Sequence, residues 1–99
     1  MSITIQDIIS YSKEHKLGDG ARHTRIVNKI FVFSIVGGRS GLYGDFKNTF
    51  ELAVFDPTTK EFMTKYVVPG ADDVIGYMPA EELVELVNNI FKEGDFQVL

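Results

Sequence analysis

The residues best suited by type and spacing to do chemistry form one short run, Gly37-Gly38-Arg39-Ser40-Gly41-Leu42-Tyr43-Gly44. Four glycines in eight positions let a backbone approach a ligand closely and take positive φ. Consecutive N–H groups there, with Arg39 and Ser40, have the makings of an anion cradle. The run is neither G-x-G-x-x-G nor a P-loop, and the pattern after it is that of a strand, so no helix N-terminus aims at it. A mobile hairpin connection explains the glycines equally well, but gives no reason for Leu42 and Tyr43 to be large and apolar. Tyrosine buries a ring while its hydroxyl stays wet, and arginine pairs with carboxylate or phosphate. Arg39, Ser40, Leu42 and Tyr43 are therefore the expected partner-binding residues.

Other constellations promise less. His15, Asp19 and His23 are spaced four and four, and on one continuous helix would resemble a two-histidine, one-carboxylate metal site. Gly18 and Gly20 break that helix, so no metal is expected. Asp72-Asp73 follows Pro69-Gly70 without an EF-hand-like set of ligands around it, and solvated turn acids are the simpler reading. The absence of cysteine excludes a disulfide framework, a thiolate nucleophile and thiolate-bound zinc. The serines at positions 2, 10, 12, 34 and 40 show no nucleophile elbow, and neither histidine has a visible acid–nucleophile pairing. No catalytic residue and no cofactor are expected. Arg22, Arg25 and Lys29, with His23, form a mildly basic segment, but a nucleic-acid groove calls for more charge interleaved with stacking aromatics. The acidic balance of the chain opposes phosphate-backbone attraction as well.

The elements that must position these residues follow from periodicity and punctuation. Thr4 as N-cap, Asp7 at the third helical position and Ile3 and Ile8 as a staple open a helix. Ile5, Ile8, Ile9 and Ser12 keep helical spacing, and Gly18 stops it, predicting a helix over 5–16. Residues 25–36 predict one long strand. Its 30–36 part is apolar on both alternating faces, which asks for cover on both sides. Residues 46–56 alternate cleanly and predict a second strand. Asp56-Pro57 turns the chain, and residues 61–68 predict a third. Residues 74–78 suggest a short fourth strand. Pro79, with Glu81 and Glu82 in the first turn, opens a helix over 79–92 whose apolar stripe is Leu83, Val84, Leu86, Val87, Ile90 and Phe91. Residues 96–99 are either an edge strand or a frayed end. Phe31, Phe33, Phe50, Leu52, Leu83, Leu86, Val87 and Ile90 are the expected core.

The order α-β-β-β-(β)-α lacks βαβ alternation, so the fold class is α+β: one small domain with a three- or four-stranded antiparallel sheet and two helices. Ninety-nine residues, 44% apolar and 24% charged, suit one globular domain with a modest core. The chain is electrically lopsided: residues 1–50 carry net +3 and residues 51–99 net −7, against −4 overall. Either this makes a polarised surface or the two halves intermix their charges in space. No basic segment precedes a signal-like apolar stretch, and no stretch approaches the roughly 20 residues of a membrane helix, so a cytoplasmic location is expected. Compact acidic chains without catalytic signatures are common among accessory and inhibitor proteins of bacteria and their viruses. The leading expectation is a non-enzymatic module recognising a protein partner or a second copy of itself. The alternatives are an anion or nucleotide-phosphate binder at residues 37–44, and a small enzyme whose site is not visible in sequence.

Overall fold

The structure is a computed structural model that describes residues 2–39, 41–92 and 94–99. It is an α+β fold built on an antiparallel sheet with its helices on one face. In chain order the elements are α1 (Ile5–Ser10), β1 (Lys13–Glu14), β2 (Arg22–Val27), β3 (Val32–Gly37), β4 (Thr49–Phe55), α2 (Thr64–Val67), β5 (Val74–Pro79), α3 (Ala80–Ile90) and β6 (Gln97–Val98). The strands lie in the order β1-β2-β3-β4-β5, and β6 joins the outer edge of β2 beyond β1. Every pairing is antiparallel.

The start of α1 follows the sequence closely. Thr4 Oγ1 accepts from the Asp7 amide at 3.1 Å, and Asp7 Oδ2 accepts from the Thr4 amide at 2.9 Å, so the reciprocal box closes with aspartate. Ile3 and Ile8 are both buried, as a staple requires. The helix is shorter than expected and ends at Ser10. Residues 13–16 offer no apolar side chain to continue the stripe, and Lys13 and Glu14 pair instead with His23 and Arg22. Arg22 secures the exit, its guanidinium donating to Ser12 Oγ at 3.1 Å and Ser12 O at 2.8 Å. Buried Thr24 ties the helix to the sheet, donating its hydroxyl to Ile8 O at 2.7 Å. That carbonyl lies in the last turn, where no helical N–H reaches it.

Three other boundaries depart from the periodicity. The long strand expected over 25–36 is two strands joined by a tight turn. Asn28 Oδ1 accepts from the amides of Ile30 and Phe31 at 2.8 and 2.7 Å, folding the chain back as an Asx turn. The strand expected from residue 46 starts at Thr49. Asp45 Oδ1 accepts from the amides of Lys47, Asn48 and Thr49, and Phe46 sits at φ 58° in the turn that results. The strand expected over 61–68 is one bridge, Phe62 to Phe55, followed by the single turn α2. There the Thr64 hydroxyl stands in for both a ladder carbonyl and a ladder amide: it accepts from Val54 N at 3.0 Å and donates to Asp73 O at 2.6 Å. The chain crosses from β4 to β5 without a strand of its own.

The core lies between the helices and one face of the sheet. Ile26, Phe33, Ile35, Phe50, Leu52 and Val54 point into it from the strands, and Ile8, Leu83, Val87 and Phe91 meet them from the other side. Phe33 and Phe91 pack edge to face with centroids 4.9 Å apart. Phe31, Leu86 and Ile90, expected as core, are half-buried at its margin. Along β3, buried and half-buried residues alternate. The strand that asked for cover on two faces thus has helices on one face only. Among the described residues no helix is long and apolar enough to cross a membrane.

Candidate functional site

The face of the sheet turned away from the helices is organised by register into three cross-strand rows. The first runs Gln97, Val27, Val32, Phe55 and Phe62. The second runs Arg25, Ser34, Ala53 and Val74. The third runs Lys13, His23, Val36 and Glu51. One flank is therefore apolar, the other is charged, and the middle is small. Phe62 stacks on Phe55 with centroids 4.7 Å apart and stays 41% exposed, and Val74 beside it is 39% exposed.

The glycine-rich run closes one end of this face. β4 and β5 lose register between Phe50 and Leu52, which leaves Glu51 opposite the bulged stretch of β5. Glu51 Oε1 accepts from the Tyr43 amide at 3.2 Å, and Tyr43 O accepts from the Tyr77 amide at 2.7 Å. Tyr77 takes φ 53° in the bulge. The two tyrosine rings stand 5.8 Å apart and remain 54% and 62% exposed. This is the most exposed aromatic pair on the sheet, and Tyr77 was not anticipated from sequence. Only its place next to Gly76, in a strand with an interrupted pattern, hinted at a bulge.

The four expected partner-binding residues divide. Tyr43 joins this face. Leu42 is half-buried. Arg39 reaches back across the β1–β2 turn, donating to Leu17 O at 2.8 Å and standing 3.7 Å from the Asp19 carboxylate. Ser40 lies outside the described residues. The loop is tied down at several points. The Gly38 amide donates to Gly44 O and the Leu42 amide to Arg39 O, so with Tyr43 three of its amides are already engaged. Gly44 lies so close to β4 that a Cβ there would come within 2.8 Å of Phe50 Cα.

At the charged flank the structure brings together two of the three residues of the His-Asp-His spacing. His15 and His23 lie edge to face with centroids 5.7 Å apart, joined by strand pairing rather than by a helix turn. Asp19 points away to Arg39. Among the described residues no three metal-ligating side chains come together. His15, Lys16, His23, Arg25, Ser34 and Val36 line a hollow of about 160 Å³. His15 Nδ1 accepts from the Leu17 amide at 3.1 Å, which puts its proton on Nε2. Burial, then the nearby His15, Arg25, Lys13 and Arg22, push the His23 imidazole below its ordinary pKa.

A larger groove, about 700 Å³, lies on the helix side between the N-terminal segment and α3. Its central amide, Asn88, is committed to the protein itself: Oδ1 accepts from Ile3 N, and Nδ2 donates to Ile3 O and Val84 O. The acids of α3, Glu81, Glu82 and Glu85, are exposed on this helix layer. Cations gather at one edge of the open sheet, while acids are found on α3, in the turns and, as Glu51, on the open face itself. Comparison with known protein families, curated proteins and solved structures finds no match for this chain.

Proposed function

We propose that the chain is a non-enzymatic binding module that recognises a protein partner through the open face of its sheet, with Tyr43 and Tyr77 at one border and Phe55 and Phe62 at the other. The observation that carries this reading is a group of exposed large apolar side chains on one side of the sheet. Of the eight among the described residues, Tyr43, Tyr77, Phe62 and Val74 belong to the face or border that the helices leave bare, whereas Leu17, Ile30, Tyr66 and Leu99 are scattered over turns, α2 and the residue after β6. Tyrosine and phenylalanine offer large contact area with few rotors to freeze, which is why such residues anchor protein interfaces. The frame beneath them is stiff, since the rows ride on the three central strands.

The glycine-rich loop serves this surface by placing Tyr43. Its engaged amides, the commitment of Arg39 to Leu17 and Asp19, and the Asp45 carboxylate beside it weigh against an anion cradle there.

The test is site-specific photo-crosslinking in the source cell, with the reactive group placed in turn at Tyr43, Phe62 and, as a control on the helix layer, Glu85. The expected result is one shared adduct from Tyr43 and Phe62 and none from Glu85. An adduct from Glu85 alone would move the working surface to α3 and overturn the reading.

A further inference from the structure

The charged end of the open face has a property that the apolar end does not explain. Lys13, Lys16, His23 and Arg25 converge there from β1, the turn after it and β2. Among the described residues, none of these four side chains makes a hydrogen bond or an ion pair. The one ion pair described, Arg39 with Asp19, belongs to the neighbouring turn. Arg22, also close, spends its guanidinium on Ser12. Facing the cluster from β3 are Ser34 and Val36, neither of them charged, and the nearest carboxylate in the same row is Glu51 on β4, beyond Val36. A chain of net −4 with ten acids in its second half gathers cations around a concavity, and among the described residues the nearby acids are turned elsewhere, Glu14 lying opposite Arg22 and Asp19 beside Arg39. Like charges held together without an acid raise the energy of the free protein, and an arriving anion relieves it.

We propose that the hollow between His15, Lys16, His23, Arg25 and Ser34 is a carboxylate-binding subsite that receives an aspartate or glutamate side chain of the protein partner. This rests on the reading of the open face as a docking surface and adds the chemistry of what docks. The hydrogen-bonding inventory fits a carboxylate. His15 presents Nε2–H, since its Nδ1 is occupied by Leu17 N. Arg25 offers a planar fork for two oxygens and Ser34, its direct cross-strand neighbour, a hydroxyl. Arg25 lies in the middle row, between the apolar row and the row of Lys13 and His23. A bound segment with an acid over Arg25 therefore lays its neighbouring apolar side chains toward Val32, Phe55 and Phe62. A nucleic acid fits less well: Glu51 stands on the same face between the cations and the Tyr43–Tyr77 pair, Phe55 and Phe62 lie on the opposite flank, and the net charge repels a phosphate chain.

The experiment uses the whole chain, labelled with ¹³C and ¹⁵N, with the imidazole resonances of His15 and His23 and the Arg25 Nε–H as reporters. Hexaglutamate is titrated against hexalysine, inorganic phosphate and a thymidine oligonucleotide. Saturable shifts at His15, His23 and Arg25 are expected with hexaglutamate, with the His23 titration midpoint moving to higher pH on saturation. Arg25→Gln should weaken this binding about tenfold, the size of one charge-assisted pair. Lys16→Gln, farther from the strand ladder, provides a second variant should Arg25→Gln disturb the fold. Silence with hexaglutamate overturns the proposal, as does saturation by phosphate or oligonucleotide without hexaglutamate. A silent titration with crosslinks from Tyr43 and Phe62 would remove the acidic occupant and keep the docking face. Saturable binding without those crosslinks would keep the subsite and remove the wider face.

Discussion

The backbone carbonyl of Tyr43 accepts the amide of Tyr77 at 2.7 Å, so two side chains far apart in sequence are presented as one exposed aromatic pair. The contact depends on the residue before Tyr77. A Cβ at Gly76 would come within 2.8 Å of Tyr43 Cβ. Gly76→Ala should therefore move the 41–44 segment off β5 and destabilise the fold by about 1–3 kcal/mol, in the usual range for a forced packing change. Combining it with Tyr43→Gly should show a coupling of about 0.5–3 kcal/mol in a double-mutant cycle. Simple additivity would mean that the two residues do not touch.

Core and margin should separate in denaturant. Phe33 is fully buried against Phe91, and Phe33→Ala should cost about 3–5 kcal/mol. That is a large part of the ~5–15 kcal/mol that holds a typical domain together. Leu86 is half-buried at the edge of α3, and Leu86→Ala should cost clearly less. Equal shifts in urea midpoint for the two variants would contradict the packing described.

Thr64 carries a hydrogen-bonding duty inside the protein that shape alone does not convey. Thr64→Val preserves volume but strands the Val54 amide and the Asp73 carbonyl. An unsatisfied buried group costs about 1–3 kcal/mol. Thr64→Ser keeps the hydroxyl and should recover most of that loss. Urea melts of the three proteins at one pH decide it.

Two pH windows should be visible. The His23 pKa in the fold lies below its ordinary 6.5, so as pH falls past about 6.5 the unfolded chain takes up the proton first. Stability should drop there and level off once the pH is below the folded value, and His23→Gln should remove this component. Asp45 behaves oppositely in origin. The amides of Thr49, Asn48 and Lys47 hold its carboxyl at about 2 against an ordinary 3.8. Its contribution is present above 3.8 and is lost as pH falls toward 2. Asp45→Asn should flatten that lower window in a pH series of thermal melts.

The legible parts of the fold were those governed by local rules. The Thr4–Asp7 box, the Ile3–Ile8 staple, the alternation of β4 and the Pro79 opening of α3 each depend on residues within a turn of one another. What periodicity missed was decided at a distance or by a single side chain. Asn28 split one apolar stretch into two strands with an Asx turn that leaves the hydrophobic pattern unbroken. Thr64 replaced a strand by supplying one hydroxyl to β4 and β5. Of the side chains that border the open face, the sequence singled out Tyr43 but not Tyr77 or Phe62, because the rows exist only once the register is known. The meeting of His15 with His23 was foreshadowed by their spacing, although a strand pairing rather than a helix produced it.

β2 has an unusual outer edge: β1 covers one end, β6 the other, and the Leu99 amide donates to Arg25 O between them. These seals differ in how far the chain must travel to form them. The β1–β2, β2–β3 and β3–β4 pairings each close a short loop, whereas Ile26 must wait for Val98 from the far end. Closing a longer loop costs more chain entropy, so contacts of this kind form late and open early. Along the refolding path the central hairpins come first and the β6 clasp last. Until that clasp shuts, one end of β2 presents bare amides and carbonyls to any neighbouring chain, which makes concentration during refolding, rather than heating of the folded protein, the moment of greatest risk for self-association.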